Sequence, residues 1–161
     1  MRTGIGYDVH PLARGRKLVL GGVVIPFKRG LGGHSDADVL THAIIDALLG
    51  AAHLEDIGRN FPDTDPAYKD AVSLDLLRTA HSRVIAGGFS FHYLDAVVIA
   101  EAPKLMGFIP EMEKKLADAL GTDPKNVSVK AKTNERLGFE GKKKGIAAWA
   151  IVALREGVDE R

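Results

Sequence analysis

The sequence predicts an α/β (α+β) fold: a single layered domain in which helices cover a mixed β-sheet, with a β-hairpin beside it. Three observations predict this. Strand-type runs, either alternating or continuously apolar, recur along the whole chain; capped helical stretches are interspersed with them; and two adjacent glycines join a pair of short apolar runs. At 161 residues, 45% hydrophobic and 27% charged, the chain has the length and usage of one globular domain, read as residues 1–161.

The elements follow in order. In "GIGYDVHP", Ile5, Tyr7 and Val9 alternate with Gly4, Gly6, Asp8 and His10, the period of a strand, and Pro11 is expected to end its ladder. "KLVLGGVVIPF" (Lys17 to Phe27) reads as a hairpin turning at Gly21-Gly22, and the glycine-rich "KRGLGGHSD" as a loop. Ser35, three residues before Asp38, resembles a capping box opening a helix in "DADVLTHAIIDALLGAA". Val39, Leu40, Ala43, Ile44, Ala47 and Leu48 form its buried stripe, while Asp38, His42 and Asp46 share another face. Between Leu54 and Ala71 no element is expected, and so long a loop in a compact domain is usually functional or mobile. Ser73 is expected to cap a helix to about Ala86, stopped by Gly87-Gly88. "FHYLDAVVIA" is a buried strand, "EAPKLMGF" a connector, and Pro110 opens a helix to about Leu120. "NVSVKAKT" is a strand, "NERLGFEGKKKG" a loop and "IAAWAIVAL" the last strand, with no internal repeat, linker or low-complexity segment.

Lys and Arg number 22 against 21 for Asp and Glu, a balance that predicts no nucleic acid and no membrane as partner. No apolar run is long enough to span a bilayer, and the N-terminus enters a strand without a signal-peptide pattern. Cysteine is absent, so any transition metal must be held by His and carboxylate. A cytoplasmic location is expected.

Asp8 and His10 project to one side of a strand, about 7 Å apart along the chain. His42 is the natural third ligand for a zinc with an open position, Asp46 could orient its ring, and Gly4 and Gly6 could leave room for a ligand. The same residues also read as a strand end, a turn and a satisfied surface histidine, and residue chemistry alone leaves both readings open. His34 and Ser35 stand at an expected helix N-terminus, where free N–H groups favour a phosphate; they read equally as a loop and a cap. Asp63 and Asp65 in "FPDTD" suit either a lid over a polyol or a solvated acidic turn. Lys132, Thr133, Glu135, Phe139 and Lys142, following a strand, suit a magnesium-phosphate site or a soluble turn. Neither a P-loop nor a Rossmann glycine pattern occurs.

Together, "GYDVH", "GGHSDADVLTHAIIDALLGA", "DIGRNFPDTD", "EAPKL" and "KTNERLGFEGKKKGIAAWA" resemble the 2-C-methyl-D-erythritol 2,4-cyclodiphosphate synthase family, in order and spacing, from about Gly4 to Leu154. The resemblance implies an enzyme of non-mevalonate isoprenoid biosynthesis. It would convert 4-diphosphocytidyl-2-C-methyl-D-erythritol 2-phosphate into the cyclic 2,4-diphosphate and release cytidine monophosphate.

By position, the resemblance makes Asp8, His10 and His42 ligands of zinc or another divalent cation, one per subunit. It makes Glu135 a ligand of a second ion, magnesium or manganese, held together with substrate phosphates. His34 and Thr133 match the catalytic, transition-state-stabilising positions. Substrate contact is implied for Asp8, His10, His34 and Ser35, and for Asp56, Ile57, Gly58, Phe61, Pro62, Asp63, Thr64 and Asp65 around the methylerythritol portion. The cytidine pocket matches Ala100, Glu101, Ala102, Pro103, Lys104, Leu105 and Met106, and Lys132, Thr133, Asn134, Glu135, Phe139 and Lys142 complete the set. A homotrimer with active sites between subunits is implied, with Ile5, Tyr7 and Phe139 facing an axial cavity that could take a prenyl diphosphate. Lys142 stands where Arg is common, a point charge instead of a planar fork, and Asn134 where Thr or a small residue is common. Two other readings are a zinc phosphohydrolase and a non-enzymatic trimeric binder of prenyl diphosphates.

Overall fold

A computed structural model describes residues 1–157; the last four residues of the expected domain, 158–161, lie outside the described residues. Five strands, β1 (Arg2–Ala13), β4 (Gly30–Leu31), β5 (Phe89–Ile99), β6 (Val127–Lys132) and β7 (Gly145–Glu156), form a sheet in the order β4-β1-β7-β5-β6. All neighbours are antiparallel except β5 and β6, so the sheet is mixed, as expected. The hairpin β2 (Leu18–Leu20) and β3 (Val23–Ile25) stands apart as a second sheet. Its Gly21 and Gly22 have φ of +57° and +75°, the pair of positive angles that a type I′ turn requires. Helices α1 (Val39–Ala51), α3 (Ser73–Ala86) and α4 (Ile109–Ala119) match the three long helices read from the sequence to within a few residues. Among the described residues no helix is long and apolar enough to cross a membrane.

Helix α1 is the central element of the core. Beyond the six residues of the expected stripe, Ile45, Leu49 and Ala51 are also buried, because α3 packs on its far side. Its approach to β1 explains Gly4 and Gly6. A Cβ on Gly4 would overlap the Ala47 carbonyl oxygen, and one on Gly6 the Ala43 carbonyl oxygen. These glycines therefore admit a helix backbone, not a ligand, which corrects the sequence reading. The opposite face of β1 is open: Ile5 is 65% exposed, and Tyr7 stacks on Trp149 of β7 with ring centroids 4.5 Å apart.

Pro11 does not end β1. It pairs with Gly145, its carbonyl accepts from Gly32 N–H at 2.9 Å, and the strand continues to Ala13 beside β4. The missing proline N–H points toward the β4 side, where β1 has no ladder partner until Leu12, so it breaks no bond to β7. Two further differences are local. The segment 54–71 contains the short helix α2 (Ile57–Asn60) and a 3-10 turn at Pro66–Tyr68, and the loop after β6 contains α5 (Gly138–Gly141). Both helices are four residues long, too short to leave a periodic signal.

Candidate active site

Asp8 and His10 leave β1 on the face that α1 covers, and His42 reaches them from the first turn of α1. Asp8 Oδ2 lies 2.9 Å from His10 Nε2 and 3.1 Å from His42 Nδ1, and the two ring nitrogens are 3.2 Å apart. Among the described residues this is the one group of three His, Asp or Glu whose donor atoms all fall within 4.8 Å, and its two imidazoles and one carboxylate suit a divalent transition metal. Burial alone would raise the Asp8 carboxyl, but the hydrogen bonds and charges of His10 and His42 outweigh it and hold Asp8 well below the usual carboxylate range. Burial would likewise lower His42, yet its bond to Asp8 and the carboxylates of Asp8, Asp38 and Asp36 raise it. A metal at this trio would replace the proton that His42 otherwise attracts.

Asp46 does not orient His42. Its carboxylate accepts from Ile57 N–H at 2.7 Å instead, tying α1 to the start of α2. The outer nitrogen of His42, Nε2, faces two serines, with Ser73 Oγ at 2.9 Å and Ser35 Oγ at 3.1 Å. The buried polar residues of the core are Ser35, Asp38, Thr41 and Ser73, all gathered at this end of α1. Asp38, not Ser35, caps the helix. Its carboxylate accepts from Thr41 N–H and Oγ1–H and from the Gly21 and Gly22 amides, locking the hairpin turn to α1. Burial raises the Asp38 carboxyl, and these four donors offset that cost. Ser35 Oγ accepts from Ala37 N–H at 3.1 Å. Ser73 is the first residue of α3, not its cap, because its side chain is turned toward Asp36 and His42.

A cavity of about 400 Å³ opens beside the trio, lined by His10, His34, Ser35, His42, Ile57, Gly58, Phe61 and Asp63 of the expected set. Gly33, Tyr68 and Leu76, which the sequence reading did not single out, also line it. Gly33 leaves room for His10, whose Cε1 would lie 3.1 Å from an added Cβ. Phe61 is fixed by an edge-to-face contact with Tyr68 and by Arg83 over its ring, 4.9 Å from the centroid. Asp56, Pro62, Thr64 and Asp65 lie on the same loop but do not line the cavity. The Asp56 and Asp65 carboxylates cap the next turn, accepting from Arg59 N–H and Ala67 N–H.

A second pocket, of about 290 Å³, is lined by Ala100, Glu101, Pro103, Lys104, Leu105, Met106, Lys132 and Thr133, with Ala131 added and Ala102 left out. Asn134 organises its rim: its N–H donates to Glu101 and its side-chain amide to Leu137 O and Glu140. Thr133 Oγ1 donates to Glu135 at 3.2 Å, and Glu135 holds a φ of +51°. Phe139 and Lys142 lie on and just after α5, and Phe139 sits 3.3 Å from where a Cβ on Gly145 would be. The two pockets share no lining residue. Val9, Ala147, Ile99 and Lys132 form one row across the sheet. The pockets are therefore about 14 Å apart, three strand spacings.

The YgbB family matches residues 1–155. A 2-C-methyl-D-erythritol 2,4-cyclodiphosphate synthase of Ralstonia pickettii is 59% identical over 96% of this chain and 92% of its own length. One from Desulforamulus reducens is 55% identical over 98% of this chain and the whole of its own. Among solved structures, IspF of Plasmodium falciparum in complex with CDP superposes with a TM-score of 0.85 at 34% identity, covering 98% of this chain and 97% of that one. The bifunctional IspDF of Campylobacter jejuni gives 0.93 at 44% identity over 96% of this chain, which spans 42% of that longer protein. The chain belongs to the YgbB family, that of the 2-C-methyl-D-erythritol 2,4-cyclodiphosphate synthases.

Proposed function

We propose that the chain closes the 2-phosphate of 4-diphosphocytidyl-2-C-methyl-D-erythritol 2-phosphate onto its diphosphate, at active sites completed between copies of a homotrimer. The observation that carries this reading is the Asp8–His10–His42 trio opening into the cavity lined by His34, Ser35, Ile57 and Gly58. A 2-phosphate oxygen attacks the β-phosphorus, the β-phosphorus bond to the bridging oxygen breaks, and cytidine monophosphate leaves with that oxygen. The substrate brings its own nucleophile, so the protein's task is positioning and charge neutralisation.

Asp8, His10 and His42 would hold zinc or another divalent cation, and Glu135, with substrate phosphates, magnesium or manganese. When bound, these ions polarise the phosphoryl oxygens and offset charge toward the leaving nucleotide. His34 and Ser35 stand where they can donate to phosphate, and Phe61 and Asp63 where they border the methylerythritol chain. The pocket of residues 100–106 offers backbone groups to a cytosine edge, with Lys104, Lys132 and Thr133 beside the phosphates. Lys142 serves as a further cation rather than as a two-pronged donor. Asp56, Pro62, Thr64, Asp65 and Ala102 act by shaping these walls. The separation of about 14 Å between the pockets supports sharing each site between two copies, as does the exposed row Ile5, Tyr7, Trp149 and Ile151. That open face, with Phe139 at its end, would enclose the axial cavity and could admit a prenyl diphosphate. The balanced charge and lack of cysteine support a cytoplasmic enzyme.

Product analysis with the cytidine-diphosphate substrate tests this. Cyclic diphosphate with cytidine monophosphate is expected; free phosphate would mean hydrolysis, and no turnover a binding protein.

A further inference from the structure

We propose that Asp36, acting through Ser73, is a positioning residue that fixes both the ring orientation and the tautomer of His42. The protons can be followed one at a time. Asp36 sits in the loop before α1, and both of its carboxylate oxygens are committed to Ser73: one accepts from the hydroxyl, the other from the backbone N–H at 3.0 Å. Asp38 N–H, at 3.2 Å, and the bond from Asp36 N–H to Ala71 O hold that loop in place. An ionised carboxylate only accepts, so the single Ser73 hydroxyl proton points at Asp36. Ser73 Oγ can then only accept from His42 Nε2, 2.9 Å away. Nε2 therefore carries the ring proton, and the lone pair of Nδ1 faces Asp8 and His10, as a metal ligand must.

Ser35 Oγ is the other oxygen near Nε2, at 3.1 Å, but it does not set the tautomer. It already accepts from Ala37 N–H, and its own proton stays free for the cavity it lines. Ser73 is fully buried, so no water competes for the contact. Asp46, the carboxylate one turn along α1, is engaged with Ile57 and offers no alternative. The relay joins residues 31 and 37 positions apart, uniting the starts of α1 and α3 behind one ring.

The inference rests on the reading of Asp8, His10 and His42 as ligands. Zinc stoichiometry of the unaltered chain tests that reading by itself, whereas the variants below test the relay. Zinc affinity would be measured by competition with a chromophoric chelator for the unaltered protein, Ser73→Ala, Asp36→Asn and the double variant. Each single change is expected to weaken binding about 10- to 100-fold, the usual cost of losing the partner of a ligating histidine. The double variant should be no weaker than the worse single one, because both remove the same relay. Ring-nitrogen NMR of the zinc-loaded unaltered chain should find His42 protonated at Nε2 and metallated at Nδ1. A merely structural clamp would lower melting temperature without moving these readouts. Unchanged affinity in Ser73→Ala, additive losses in the double variant, or a proton on Nδ1 would each overturn the proposal. If a substitution prevents folding, the ring-nitrogen spectrum of the metal-free unaltered chain at alkaline pH, where a neutral His42 must place its one proton, still decides: a proton on Nδ1 there overturns the proposal.

Discussion

At one end of the sheet row, half-buried Asp8 and His10 converge with His42 until all their donor atoms lie within 4.8 Å, and Ser35 and Ser73 behind His42 are buried. About 14 Å along the same row, residues 100–106 with Lys132 and Thr133 build a pocket from connector backbone and side chains held by few bonds. The first corner is organised before any ligand arrives: the Asp38 carboxylate alone ties the hairpin, the helix start and Thr41 together. At the second, the Thr133 hydroxyl bonds its neighbour Glu135, and Met106 is 82% exposed. A cluster of ionisable groups must be fixed by its fold, since misplaced charges in a dry site are costly. Under the proposed reading, a base edge and a second copy of the chain would order the second pocket.

The difference can be tested by damaging each corner in turn. The largest effect is expected from His42→Ala, which should lose bound metal and at least about 1,000-fold in turnover, the several kcal/mol that a metal supplies to transition-state charge. Circular dichroism should find the domain folded, since its core is not built on this side chain. Full zinc occupancy would remove His42 from the site. Next comes Gly6→Ala. The added Cβ meets a helix carbonyl that cannot move aside, and the cost should be about 3 kcal/mol or more in denaturant unfolding. A neutral result would mean that α1 is not pinned against β1 and that the trio is looser than described.

At the second corner, Glu135→Gln keeps shape and removes charge. Turnover is expected to fall about 100-fold, like the loss of one group aimed at developing charge, and more magnesium should be needed, with zinc still bound. Loss of zinc together with magnesium dependence would merge the two ions into one site. Smallest in energy is base recognition: cytidine nucleotides should protect the amides of residues 100–106 from hydrogen exchange better than uridine or adenosine nucleotides. Equal protection by all three would make this segment a phosphate rim.

How far each corner was legible follows from what strand and helix periods encode. Alternation put Asp8 and His10 on one face, and the helical period kept His42 off the main stripe; the family-like motifs joined them. Period does not say what covers a face. By period alone Gly4 and Gly6 suggest room for a ligand, yet they receive α1, and Asp46 has the spacing of a partner for His42, yet it bonds Ile57. Ser73 and Asp36 were illegible as partners because 37 residues separate them and only the packing of α3 on α1 brings them together. Strand β4, two residues long, exists only through its pairing with Leu12 and Ala13, and Gly30-Leu31 carries no pattern of its own. In the connector after β5, sequence order is spatial order, which is why the second pocket matches the expected segment almost residue for residue.

The most direct test of the two-corner account mixes two inactive chains. His42→Ala lacks the metal corner and Thr133→Ala is damaged at the other, so each alone should be nearly silent. Refolded together at equal amounts, the chains should form cyclic trimers in which roughly a quarter of all sites, one in each trimer that contains both chains, pair an intact metal corner with an intact second corner. Activity of that order is the expected result. No recovery in assemblies verified to contain both chains would contradict the account, because each site would then be built within a single chain.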